Sequence, residues 1–181
     1  MNNNSIKSIN FQHTALSTFA LKYLAKFIMS KRIDSISVNG GPMPLKELKT
    51  DQLVLLDLKD QNLFAEDLFI LSQFLTPNKS VTHVNLSSNL IGFSKHSPQL
   101  RKDKQVDFSD QEFNSMGLQH LSLALAATDR IVELDLSSNK IGSSNFDFLQ
   151  AVFSANSKLQ LLNIAECQID GAQIGKMCGI V

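Results

Sequence analysis

The chain has 181 residues, 17 basic and 17 acidic side chains, no formal net charge at neutral pH and 43% apolar residues. That balance excludes the basic footprint of a nucleic-acid binder, which must neutralise several phosphates. The apolar fraction suffices for one substantial core, and no run reaches eighteen apolar residues, so no membrane-spanning segment is expected.

The opening residues, Met1 to Ser5, have neither the basic nor the apolar stretch of a secretory signal. Two cysteines, Cys167 and Cys178, cannot staple a chain of this size, so the expected compartment is the reducing cytoplasm and no disulfide is expected.

Leucine stands out, with 26 of the 181 residues, and its spacing is periodic. In chain order, "IKSINFQHTAL" starts at Ile6, "IDSISVNGGPM" at Ile33 and "LVLLDLKDQNL" at Leu53. "VTHVNLSSNLIG" follows at Val81, its near copy "IVELDLSSNKIG" at Ile131 and "LQLLNIAECQI" at Leu159. All fit L-x-x-L-x-L-x-x-N-x-L, the Ile33 segment more loosely. The intervals are 27, 20, 28, 50 and 28, which is a period of 28 with one deletion after Ile33 and an insertion of 22 residues after Val81.

A second pattern fixes the same register. Fifteen, 18 and 22 residues beyond each first position lie apolar residues with i, i+3, i+7 spacing, one face of a helix. They are Leu21, Leu24 and Ile28; Leu68, Leu71 and Leu75; Leu118, Leu121 and Leu125 once the insertion is removed; Phe146, Leu149 and Phe153; and Ile174, Met177 and Val181. Each unit therefore reads as a short strand and a helix, neither of which buries its apolar face alone. Stacking lines the strands into a parallel sheet with the helices outside.

This pattern resembles the leucine-rich repeat proteins, and the 28-residue unit with a full helix resembles their ribonuclease-inhibitor-like class. The resemblance implies an α/β solenoid, a horseshoe arc of about six repeats with a parallel inner sheet and outer helices. It makes residues 1–181 a single leucine-rich repeat domain with an inserted loop at about 93–114.

The departures are informative. The asparagine position holds Asn89 and Asn139, where a buried amide satisfies the turn leaving the strand. Elsewhere it holds Thr14, Gly41, Gln61 and Cys167, the last a structural alternative. The second unit runs through Gly40-Gly41-Pro42-Met43-Pro44 and leaves room for a helical turn or less. Its double glycine reads as a tight turn, with an anion-binding nest as the alternative. The insertion carries a basic run (Arg101, Lys102, Lys104), an acidic run (Asp107, Asp110, Glu112) and the apolar Phe93, Val106, Phe108 and Phe113. Two readings stand for it, a solvated loop and a binding element; the phenylalanines, with Arg101, Lys102 and Lys104, are its candidate contacts. The sixth helix reaches its last apolar position at Val181 with no capping segment after it, so the expectation is either a piece of a longer array or a subunit of a larger assembly in which something else covers that end.

No phosphate loop, metal spacing or nucleophile elbow is present, and His13, His83, His96 and His120 are scattered. The expectation is a non-enzyme without cofactor or metal. Strand alternation predicts that the third, fifth, seventh and eighth motif positions face the open concave side. These include Ser37, Asn39 and Ser87, and the candidate contacts Asp57, Lys59, Asp60, His83, Asn85, Glu133, Asp135, Asn163 and Glu166. Five acids against Lys59 give that face a charge near −4, suited to a basic protein partner or serving only to keep the sheet soluble. The functional expectation is a non-catalytic protein-interaction scaffold or assembly subunit, in the company of cytoskeletal proteins with similar repeats. The alternatives are a GTPase-activating regulator with similar repeats and a secreted bacterial effector that binds a host protein. No nucleic-acid or membrane partner is expected.

Overall fold

The computed structural model describes residues 5–93 and 115–177. Of the candidate loop contacts, Arg101, Lys102, Lys104, Phe108 and Phe113 lie outside the described residues, as do Cys178 and Val181.

The chain alternates short strands with helices: β1 (Ser8–Asn10), α1 (Thr18–Met29), β2 (Ser35–Ser37), β3 (Met43–Pro44), α2 (Leu45–Lys49), β4 (Leu55–Asp57) and α3 (Ala65–Leu75). Then follow β5 (His83–Asn85), α4 (Ser115–Ala127), β6 (Glu133–Asp135), α5 (Phe146–Ala155), β7 (Leu161–Asn163) and α6 (Gly171–Met177), with a 3-10 turn at Ser143–Asn145 before α5. Strands β4, β5, β6 and β7 form a parallel four-stranded sheet in that order. Its register puts Leu55, His83, Glu133 and Leu161 in one row and Asp57, Asn85, Asp135 and Asn163 in another. These are the third and fifth motif positions, so the 22-residue insertion leaves the pairing undisturbed. β1 and β2 pair in parallel in a separate sheet, which β3 closes by running antiparallel to β2.

The middle residue of each strand points to the helices. Leu56, Val84 and Leu134 are buried, and they share one hydrophobic cluster with Leu21, Ile28, Leu68, Leu71, Leu75, Leu118, Leu121, Leu125, Phe146 and Leu149. Each such side chain contributes roughly 1.5–3 kcal/mol by leaving water. Helix α1 starts at Ser17, whose hydroxyl accepts from Ala20 N at 3.2 Å. Helix α3 is buried along almost its whole length, because α1 packs on one side and α4 on the other. At Gly117 any Cβ would run into the Ala65 backbone, so the α3–α4 approach requires glycine there.

The asparagines of the motif join successive turns. Asn89 Oδ1 accepts from Gln61 N and Leu63 N of the preceding unit, both at 3.0 Å, while its Nδ2 donates to Leu58 O, Leu86 O and Ser87 O. Asn139 Oδ1 accepts from Asn89 N at 3.1 Å and Nδ2 donates to Leu86 O and Leu136 O. Cys167 fills the same slot, its Sγ donating to Leu136 O at 3.1 Å. Burial pushes this thiol up, Asp135 adds to that, and only the Asn139 N–H opposes it, so the group stays a neutral donor.

Three expectations are corrected. The second unit keeps a five-residue helix, since Pro44 sits just before α2, where a missing N–H costs nothing. Phe93 is 1% exposed and belongs to the core, its carbonyl accepting from Ala65 N at 2.9 Å at the start of α3. Ile174 is 42% exposed where its helical spacing predicted burial, because α6 packs only weakly on its neighbours.

Candidate functional site

A turn recurs at the end of each strand of the four-stranded sheet and at the end of β1. The fifth-position side chains Asn10, Asp57, Asn85, Asp135 and Asn163 each accept, through Oδ1, the N–H two residues on: Gln12 at 2.7 Å, Lys59 at 3.1 Å, Ser87 at 3.0 Å, Ser137 at 2.8 Å and Ala165 at 3.2 Å. Short Asn and Asp side chains close such turns because they mimic a backbone carbonyl. Three residues further, His13, Asp60, Ser88, Ser138 and Glu166 take the left-handed conformation with φ between 54° and 66°. That reversal sends the chain from the sheet back toward the helix layer.

The candidate contacts belong to these strands and to the turns that follow them. Asp57, Lys59, Asp60, Glu133 and Glu166 are exposed, and His83, Asn85, Asp135 and Asn163 are half-buried. Glu133 Oε1 lies 3.7 Å from His83 Nε2, and His83 Nδ1 is 2.7 Å from the Thr82 hydroxyl. Glu166 Oε2 accepts from the Ser138 hydroxyl at 2.9 Å. Asp135 is tied most closely: the Ser137 hydroxyl reaches Oδ1 at 2.6 Å and Asn163 Nδ2 reaches Oδ2 at 3.1 Å. Partial burial pushes its carboxyl up, but the Ser137 hydroxyl and N–H, the Asn163 amide and the Lys59 charge outweigh that and hold it below the ordinary range. Leu55 and Leu161, 53% and 48% exposed, add apolar surface at β4 and β7, the two edge strands of the sheet.

Alternation fails beyond the strands. Asn39 and Ser87, assigned outward from strand periodicity, are buried in the turns that follow their strands; Ser37 is buried too, although it is the last residue of β2 itself. The strands end at the fifth position, and in the turn that follows the two-residue period no longer sets direction.

A second polar cluster escaped the sequence reading. Asp67 is buried at the start of α3; its Oδ2 accepts from Phe64 N at 2.9 Å and its Oδ1 from Asn39 N at 3.0 Å and Gly40 N at 3.3 Å. Two amides of the double-glycine turn, Asn39 N and Gly40 N, are therefore bound to the protein's own carboxylate, and a third, Gly41 N, donates to Gln61 O at 2.7 Å. Burial pushes the Asp67 carboxyl up, against the pull of its three N–H bonds. Gly40 is required by packing, because a Cβ would sit 2.6 Å from Gln61 O. An acid three residues into a helix is a local start signal, but its distant partners are not readable from spacing. Among the described residues no group of three His, Cys, Asp or Glu side chains is placed to hold a metal ion. Among them, too, no helix is long and apolar enough to cross a membrane.

No family model matches this chain. Its sequence is 27% identical over 121 residues to NACHT, LRR and PYD domains-containing protein 14 of Mus musculus, a match that spans 62% of this chain and 12% of the mouse protein. Its structure is similar to a Caenorhabditis elegans tropomodulin C-terminal domain, with a TM-score of 0.52 at 11% identity, over 98% of this chain and 83% of that one. The two likenesses agree on a mixed α/β fold of leucine-rich-repeat type.

Proposed function

We propose that this leucine-rich-repeat-like chain is a non-catalytic protein-interaction scaffold, an arc of about six ribonuclease-inhibitor-like repeats whose concave side receives a basic partner. The observation that carries the reading is the acidic face itself. Asp57, Glu133 and Asp135 stand at the third and fifth positions of the paired strands, Asp60 and Glu166 are exposed in the turns that follow, and Lys59 is the cation among them, while the whole chain is neutral. Such segregation steers an oppositely charged partner and fixes its register more than it adds affinity. An open sheet face offers breadth without a deep pocket, which suits a protein rather than a small molecule. The likeness to a tropomodulin domain is one of fold; a cytoplasmic, cytoskeletal setting and a role as a subunit of a larger assembly are part of the proposal.

The test is charge reversal at the four exposed carboxylates of this set. Asp57→Lys, Asp60→Lys, Glu133→Lys and Glu166→Lys together leave the Asp135 turn intact. A tagged chain is used to purify partners, with cross-linking through Lys59. A stoichiometric partner cross-linked at Lys59, weakened by salt and lost from the quadruple variant, supports the reading. Retention of the same partner by the variant removes the face as the site. Stimulated GTP hydrolysis by a co-purifying GTPase would replace the scaffold reading with a GTPase-activating one.

A further inference from the structure

The short second unit leaves its mark on the helix layer. Helix α2 has five residues where α1, α3 and α4 have twelve, eleven and thirteen, so no full-length helix stands between α1 and α3. Accordingly α1 packs on α3 far more sparsely than α4 does. A groove of about 750 Å³ opens there, lined by Phe19, Lys22, Tyr23 and Lys26 of α1, Phe69 of α3 and His120 of α4.

Its chemistry is apolar at the centre and cationic at the rim. Phe19 and Tyr23 are 70% and 60% exposed and stack on each other, ring centroids 4.6 Å apart, with Met29 of the same helix also exposed. The Phe69 ring is buried and meets the edge of His120 at 4.6 Å. Aromatic side chains left this open mark a surface that gains from being covered. Lys22 and Lys26 flank them, and Lys22 is near enough to His120 to hold down its protonation alongside burial. Helices α1 and α4 contain no acidic residue, and the acids of α3, Glu66 and Asp67, are buried in its first turn.

We infer that this groove docks an amphipathic helix of a protein partner, apolar along one face and acidic along its flanks. Its anchors cover Phe19, Tyr23 and Phe69 while its carboxylates meet Lys22 and Lys26. A small molecule needs more enclosure than walls this exposed supply. The groove lies between helices and offers no strand edge, so helix-in-groove docking is the mode available. This site is separate from the acidic sheet face and opposite to it in charge.

The test uses the full chain and three fluorescein-labelled 18-residue amphipathic helical peptides. They share one Leu/Phe face and differ in flanks of Glu, Gln or Lys; binding is read by fluorescence anisotropy at low salt. The Glu-flanked peptide is expected to bind at least tenfold more tightly than the Lys-flanked one, with Gln between. The pair Lys22→Glu and Lys26→Glu reverses that order, and Phe19→Ser with Tyr23→Ser abolishes binding of all three. All four side chains lie at the surface, so unchanged circular dichroism is the control. The inference is overturned if no peptide binds, if the three bind alike, or if neither double variant alters binding. Self-association of the chain lost on Phe19→Ser with Tyr23→Ser would assign the groove to a second copy instead. Sedimentation with phosphatidylserine vesicles, without a peptide preference, would assign it to a lipid surface.

Discussion

The turn around Asn89 and the turn at Asn39–Gly40 face the same problem and solve it differently. Both bury backbone N–H groups that must be paired. At the regular turns an amide at the ninth motif position does this, accepting from the unit before it and donating within its own turn. In the third unit that position is Gln61, whose side chain donates within its own turn, to Lys59 O at 3.3 Å, and packs against Gly41. The acceptor for Asn39 N and Gly40 N is then the Asp67 carboxylate, brought from the following helix. The two devices have unequal costs. An amide donates and accepts without charge, whereas a carboxylate only accepts and must be desolvated. Asn39 shows the consequence: its Nδ2 reaches Glu66 at 3.3 Å, and its buried Oδ1 makes no hydrogen bond.

Breaking the regular device is expected to do the most damage. Asn89→Ala removes five hydrogen bonds in a buried setting and is expected to lower stability by about 3–5 kcal/mol, read from chemical denaturation. A loss below about 1 kcal/mol would show that the turns hold without their amides. Asp67→Ala strips three backbone N–H groups of their acceptor and is expected to cost about 2–4 kcal/mol. Its charge also gives a pH signature. The folded chain holds the Asp67 proton at a pH where the unfolded chain has released it, because burial raises this carboxyl. Stability therefore declines as pH rises from the ordinary carboxylate value through the raised one, and Asp67→Asn flattens that part of the profile. Parallel profiles for the two proteins would show that the carboxylate is not penalised.

Smaller effects sharpen the contrast. Lys49 of the short α2 donates to Ile28 O at 2.6 Å, Lys31 O at 2.8 Å and Ile33 O at 3.4 Å, closing the end of α1, with its ammonium 5.5 Å from the Phe74 ring centre. Lys49→Met is expected to cost about 1–2 kcal/mol in equilibrium unfolding, with hydrogen exchange accelerated first in the last turn of α1. Uniform exchange across the chain would argue against a capping role. At the left-handed position of the third turn, Asp60 has φ 55°, and Asp60→Gly relieves that backbone for a gain of about 0.5–1 kcal/mol. A lowered melting temperature would show that the Asp60 side chain is worth more to the turn than the strain it carries.

The 28-residue period predicted which residues pair across the sheet, because parallel strands in successive units align the same motif position, and Leu55, His83, Glu133 and Leu161 do so. It also predicted the buried helix faces of α1, α3 and α4, since i, i+3, i+7 spacing survives any neighbour. The acidic candidates were legible for the same reason. Ser87 and Asn39 were misassigned where the strand period was carried into a turn, and Phe93 was assigned to a loop although its side chain reaches the core. The turn role of Asp57 and Asp135 was hidden because an Asx side chain looks alike whether it binds a partner or its own backbone.

What the amino-acid sequence determined by itself is local and periodic: which residues share a strand, a helix face or a turn, and which units repeat. Those follow from fixed backbone periods and side-chain chemistry within a few residues. Tertiary structure alone decided the pairings between distant groups. Asp67 finds amides 27 and 28 residues earlier, and Lys49 finds carbonyls as far as 21 residues earlier. The groove between α1, α3 and α4 likewise brings together residues as far apart as Phe19 and His120. Such contacts depend on how elements stack in space, and no spacing rule along the chain encodes the direction in which a side chain meets a neighbour so far away.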